Sequence, residues 1–317
     1  MTLLFTIATT NYLPFAVSLL DSVKQFHPEF EVCIGLTDYI SEEVMVANAL
    51  MNKYQIVQLH QINVKEFDII TEKYNPMELA NSAKILFAEY FLSKSNIDQV
   101  IFCDSDMLFF GQLPQKVIAE HDIIYTPHFC SPPPIEMKRQ ELEVLNAGLF
   151  NGGFFKLRKS SETEKYIRWF RERCVLNCIS DRCNGYYYDQ LWLNLVPLYF
   201  KTAYIEPDQG MNVAYWNLHE RMISQDNQGK FIVNNKVPLA FFHFSGWDYH
   251  NPLCISKYAL FDLEMRPDLK PLLLKYHETL QNNEYERYIN MANFYTSKNK
   301  SQKKSLLSKL KHKLFNK

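Results

Sequence analysis

Apolar runs alternate with helix-spaced apolar positions along the first third of the chain. Residues 3–8 form an almost unbroken apolar stretch, the signature of a buried strand, whereas 15–25 place apolar side chains at intervals of three and four, the signature of a helix. The alternation continues with a strand at 31–36, a helix at 42–53, a strand at 56–59, a helix at 80–92 and a strand at 99–103. Strands separated by helical crossovers build a mostly parallel sheet with right-handed connections, so the pattern predicts an α/β fold. Further on, Pro132, Pro133 and Pro134 break both helix and strand and mark a loop. A helix is expected at 162–174, another opening within 188–194, and an apolar strand across 239–247 that carries a single imidazole, His243. No internal repeat is visible.

The strand at 99–103 ends abruptly in Asp104-Ser105-Asp106. Open α/β sheets bind ligands just beyond the carboxyl ends of their strands, which puts both carboxylates where a ligand sits. Two acids at i and i+2 in a crevice suit a hard divalent cation, whose open positions would take phosphate oxygens. The same tripeptide also reads as a solvated turn that ends a strand, and on its own it leaves both readings open. Asn146-Ala147-Gly148 and Asn151-Gly152-Gly153 combine permissive backbone with amide donors and acceptors, as suits close approach to a ligand or a plain hairpin turn. Asp189 stands at the start of a helical run, where an acid serves as a cap. His243, taken alone, reads as a satisfied core histidine.

A hydrophobic content of 47% with 22% charged residues excludes disorder for most of the chain. The 23 Phe and 19 Tyr exceed what a core needs, so some of these rings are available as platforms for sugars or bases. Seven cysteines do not resemble a secreted disulfide framework, and the first residues lack the basic region and cleavage site of a signal peptide, which points to the cytoplasm. Cys174, Cys178 and Cys183, with Cys130, are either a structural zinc site or reduced thiols; the lack of a C-x-x-C spacing favours thiols. The net charge of −1 hides an asymmetry, because residues 298–317 hold eight lysines and no acid while the remainder carries 26 basic against 35 acidic residues. Leu306, Leu307, Leu310, Leu314 and Phe315 fall at helical spacing within that tail, a basic amphipathic pattern suited to an anionic membrane surface. The acidic body carries no basic reader, so nucleic acid is not an expected partner.

Taken in order, Thr9-Thr10-Asn11, the run 82–87, Asp104-Ser105-Asp106, Asn146-Ala147-Gly148, Asn151-Gly152-Gly153, Asp189-Gln190 with Asn194, and His243-Phe244-Ser245-Gly246 resemble glycosyltransferase family 8 and related bacterial glycan-assembly enzymes of the GT-A fold. The resemblance implies a Rossmann-like, mostly parallel central sheet flanked by helices, with a C-terminal helical extension. It implies a glycosyltransferase domain at 1–255, an extension at 256–295 and the basic tail at 296–317. Asp104, Asp106 and His243 would hold Mn²⁺ or Mg²⁺. Thr9, Asn11, Asp38, Lys84, Ser105, Asn151, Gly152 and Gly246 would contact a nucleotide-sugar donor, foremost a UDP-sugar, with Asp189 and Gln190 as the catalytic groups. Lys84 stands where the family usually has an arginine, and a lysine cannot make a bidentate fork. Gly246 is followed by Trp247-Asp248-Tyr249 in place of the family's Lys-Pro-Trp, so Lys257 or Arg221 would have to supply the missing cation. The expected activity is retaining transfer of a sugar to a glycan or lipid-linked acceptor in surface polysaccharide or lipopolysaccharide assembly, by an enzyme peripheral to the inner face of the membrane. An inactive sugar- or nucleotide-binding protein and a protein-modifying transferase are the rival readings.

Overall fold

The computed structural model of the chain describes residues 1–295. Its first strands are β1 (Thr2–Ala8), β2 (Glu31–Leu36), β3 (Gln55–Gln58) and β4 (Gln99–Cys103). They are followed by β5 (Met107–Phe109), which leaves the main sheet, then β6 (Ile123–Pro127) and β7 (Phe150–Arg158). Across the sheet the order is Ala203–Ile205, β6, β7, β4, β1, β2, β3. β7 runs against the rest, antiparallel to both β4 and β6, and the other neighbours in this sheet pair in parallel.

The continuous apolar runs follow from burial on both faces. In β1, Leu3, Phe5 and Ile7 join one core and Leu4 and Ala8 the other; in β4, Val100 and Phe102 divide from Ile101 and Cys103 in the same way. The first core is roofed by helices Pro76–Leu92 and Ser161–Asn177, the second by helix Leu13–Phe26. A third core seats helix Lys270–Asn282 against the body, with Tyr276 stacked on Phe244 at 3.8 Å between ring centres.

Side-chain caps set the start of two of the helices over the first core. Asn75 accepts from the backbone N–H of Met77 and Glu78 while Glu78 accepts from Asn75, so the helix expected at 80–92 begins at Pro76. Ser160 caps Ser161–Asn177. The helix expected at 42–53 is cut to Glu42–Val46. Asn48 accepts from Leu50 N–H and Asn52 donates to the carbonyls of Met45, Val46 and Asn48, a set of local bonds that replaces the helical ladder. The helix expected within 188–194 is a 3₁₀ segment, Gln190–Leu195, running into Val196–Tyr199. The strand expected across 239–247 shortens to Phe241–His243, because beyond it the chain turns at Gly246 with φ of +72°. That short strand pairs antiparallel with β5 and sets His243 opposite Met107. No helix among the described residues is long and apolar enough to cross a membrane, and the basic tail lies outside them.

Candidate active site at the carboxyl ends of the strands

The carboxyl end of β4 delivers Asp104 and Asp106, and the pairing of β5 with Phe241–His243 delivers His243 beside them. Phe244 N–H donates to Asp106 O at 2.8 Å, locking the two segments one residue past their strand ends. One ligand atom from each of Asp104, Asp106 and His243 falls within 4.8 Å of the others, the single such cluster among the described residues. His243 Nε2 lies 3.0 Å from Asp106 Oδ1. Burial alone would raise the Asp106 carboxyl, but the adjoining imidazole holds it below the usual carboxylate range.

Asn212, a residue the sequence pattern did not single out, fixes the tautomer of His243. Its Nδ2 donates to Thr126 Oγ1 at 2.8 Å and to Asn151 Oδ1 at 3.0 Å, so its Oδ1, 3.2 Å from His243 Nδ1, is left to accept. On this network Nδ1 carries a proton and donates to Asn212, which leaves Nε2 as the ring nitrogen turned to the carboxylates. The one local signal for Asn212 is its left-handed backbone, φ of 51°, inside a buried apolar run. The edge of the Trp216 indole also meets the His243 ring, at 5.2 Å between centres. Gly153 closes the cradle, since a Cβ there would lie 2.7 Å from Asp104 Oδ2, His243 Cε1 and Asn151 Oδ1. Two carboxylates and an imidazole nitrogen, oriented from behind and packed over a glycine, suit Mn²⁺ or Mg²⁺.

Lys84 sits on the buried face of helix Pro76–Leu92, where its ammonium lies 3.0 Å from Asp104 Oδ1, donates to Gly152 O at 3.0 Å and faces Asp189 Oδ2 at 3.8 Å. Burial by itself would favour the neutral amine, yet the two carboxylates hold the ammonium above the ordinary lysine range. Asp189 is 3% exposed, and burial pushes its carboxyl up to about 6 against the pull of Lys84. It makes no side-chain bond to the 3₁₀ segment that it precedes, so it does not act as a cap. Gln190 accepts from Gly152 N–H at 3.1 Å and Asn151 Nδ2 at 3.4 Å, and donates to Ala147 O at 3.0 Å. Gly148, at φ of +121°, passes so close to Gln190 O that a Cβ would lie 2.9 Å away.

Thr9, Asn11 and Asp38 gather at the carboxyl ends of β1 and β2. Thr9 Oγ1 donates to Asn11 Oδ1 at 2.7 Å, while buried Asp38 accepts from Thr10 and from the backbone of Tyr39 and Phe294. Ser105 is buried between the two acids, and the turn at Gly246 packs against Ser256 and Tyr258. Of the two cations weighed against the missing lysine, Arg221 is 1% exposed and donates to Met211 O and Cys130 Sγ, which commits it to packing. Lys257 is exposed, with its backbone N–H on Gly246 O at 3.0 Å and its ammonium 4.9 Å from the Tyr258 ring centre. Cys174 and Cys178 are buried free thiols, whereas Cys130 and Cys183 are exposed.

This arrangement has relatives. A model of the family described as glycosyl transferase family 8 matches residues 3–249. The uncharacterized protein YfnF of Bacillus subtilis (strain 168) is 22% identical over 286 residues, covering 87% of this chain and 90% of that protein. Among solved structures, the galactosyltransferase LgtC in complex with donor and acceptor sugar analogues is similar over 89% of this chain and 96% of its own, at 16% identity and a TM-score of 0.49. The bifunctional glycosyltransferase WbbM in its apo form matches 91% of this chain and 51% of its own, at 12% identity and a TM-score of 0.50. The sheet order and its flanking helices are those of a GT-A fold. With the family model spanning nearly the whole described body, the chain belongs to glycosyl transferase family 8 and is a nucleotide-sugar-dependent glycosyltransferase.

Proposed function

We propose that this enzyme transfers a sugar, with a Mn²⁺ or Mg²⁺ ion and with retention of configuration, from a UDP-sugar to a glycan or lipid-linked acceptor in surface polysaccharide or lipopolysaccharide assembly. The observation that carries the reading is the convergence of Asp104, Asp106 and His243 in one cluster, with Lys84 bridging it to Asp189. Asp104, Asp106 and His243 would hold the ion. When bound it supplies Lewis-acid stabilisation of the charge that develops on the departing diphosphate. Lys84 sets one positive charge between the carboxylates of Asp104 and Asp189, and it pins the strand carrying Gly152. Asp189 places negative charge beside Gly152, where it would steady the cationic character that the sugar acquires as its anomeric bond breaks. Gln190 organises Asn151 and Gly152, fixing the floor of the sugar pocket. Gln190 is uncharged and Asp189 faces the Lys84 ammonium at 3.8 Å; the order Asp189-Gln190 with Asn194, which resembles the retaining family, supports retention, with the acceptor entering from the leaving-group face and the diphosphate taking its proton. The basic tail is proposed to bring the enzyme to an anionic membrane, where lipid-linked acceptors reside.

Release of free nucleoside diphosphate from a panel of nucleotide sugars with Mn²⁺ tests the core of this reading. Release is expected from the UDP-sugars, with loss in excess chelator and a fall on the order of 100-fold or more in Asp106→Asn. Full turnover in chelator would remove the metal from the mechanism, and donor binding with no release would mark a binding protein. Proton NMR of the product from an α-linked donor reads the stereochemistry: an α linkage is expected, and a β linkage overturns retention.

A further inference from the structure

Asp38 is buried, 1% exposed, and both of its carboxylate oxygens are engaged by protein. Oδ2 accepts from Thr10 N–H at 3.3 Å and from the Thr10 hydroxyl. Oδ1 accepts from Tyr39 N–H at 2.9 Å and, across 256 residues, from Phe294 N–H at 2.7 Å. One carboxylate therefore ties the loop after β1 to residues near the C-terminal end of the described chain. The tie is reinforced on both sides. The Phe294 ring lies 5.1 Å from Tyr39, which in turn meets His60 at 5.5 Å, and Tyr295 packs edge-on against Phe67 at 5.8 Å. Earlier in the segment, Tyr288 is fully buried and its hydroxyl donates to Asn48. Tyr285 meets Phe15 edge-on at 5.6 Å, and Phe15 stacks on Tyr12 of the same loop at 4.9 Å. Residues 285–295 thus hold the 3₁₀ turn Thr10–Tyr12 from two sides, by a charged hydrogen bond at one end and ring packing at the other.

We propose that residues 285–295 are a positioning strap for donor binding: through Asp38 and Phe15 they set the conformation of the loop carrying Thr9, Asn11 and Tyr12, and so the affinity for the nucleotide. The inference rests on the reading above that this loop meets the nucleoside. Its physical basis is that a carboxylate accepting several hydrogen bonds fixes the groups that donate to it, and that a loop fixed in advance spares the ordering cost that binding would otherwise incur. Asp38 in this account acts as a positioning residue, spent on the protein rather than on the ligand.

The backbone of Phe294 offers a clean test, because proline removes the N–H that reaches Asp38 while Phe294→Ala keeps it. In the full chain, Phe294→Pro is expected to raise the donor KM, and the Kd of UDP with Mn²⁺ measured by calorimetry, by about 10-fold, the equivalent of one charge-assisted hydrogen bond. The kcat at saturating donor stays within about two-fold, because the acidic cluster and Lys84 are untouched. Phe294→Ala shows a smaller rise. In an Asp38→Ala background Phe294→Pro raises KM no further than Phe294→Ala does, since the N–H that distinguishes them acts through that one carboxylate. A donor KM unchanged in Phe294→Pro, a loss falling on kcat alone, or a Phe294→Pro effect that still exceeds that of Phe294→Ala in the Asp38→Ala background would overturn the strap. A wild-type chain that binds none of UDP, GDP, CDP or ADP overturns the nucleotide reading beneath it, which is a different and separable result.

Discussion

Asn212 touches no expected ligand, yet it governs what His243 can offer. Removing its amide frees the imidazole to turn or to change tautomer, and it strips Asn151 Oδ1 and Thr126 Oγ1 of a buried donor. Groups behind a metal ligand typically account for about 10–100-fold in affinity, so Asn212→Ala should weaken Mn²⁺ binding by that order, read by titration against the metal's paramagnetic signal. An affinity equal to wild type would show that His243 is oriented by packing against Trp216 alone. The sequence led to His243 only through the family resemblance, since on its own strand it looks like a core histidine, and it did not lead to Asn212, whose side-chain partners are all distant in sequence. Asp104 and Asp106 were legible because the strand that presents them and the acids themselves are contiguous.

At the scale of elements, the sequence was informative wherever a segment is buried on its own account. The β1, β2 and β4 runs are apolar on both faces and stand out without reference to anything distant, and helix Pro76–Leu92 carries its own start signal in the Asn75 and Glu78 pair. That cap holds the first turn of the helix that carries Lys84. Asn75→Ala should cost about 1 kcal/mol of folding stability by urea unfolding while leaving kcat near wild type, since Lys84 lies more than two turns from the cap. A loss of activity with unchanged stability would show instead that the helix start belongs to the binding site. Segments whose form depends on distant partners were harder to read. The short strand Phe241–His243 exists through its pairing with β5, and the helix expected at 42–53 fails because Asn48 and Asn52 bond to nearby backbone more readily than the helix does. Periodicity scores apolar spacing and is blind to both effects.

Across the whole molecule, charge is divided between an acidic body and a lysine-rich tail, the tail that is proposed to meet an anionic membrane. Each lysine near an anionic surface contributes about 1 kcal/mol at low salt, so the full chain should sediment with phosphatidylglycerol vesicles and come off as salt rises. A chain ending at Tyr295 should stay in solution and hydrolyse its donor as before. Full-length protein that ignores such vesicles at low salt would assign the tail another role. The pairing of Phe241–His243 with β5 also has a meaning in time. A chain emerging from the ribosome displays Asp104 and Asp106 well before His243 exists, and at roughly 5–20 residues per second the two acids wait for the third candidate ligand while the residues between are made. A product that ends before residue 243 therefore carries both acids of the cluster and lacks its imidazole.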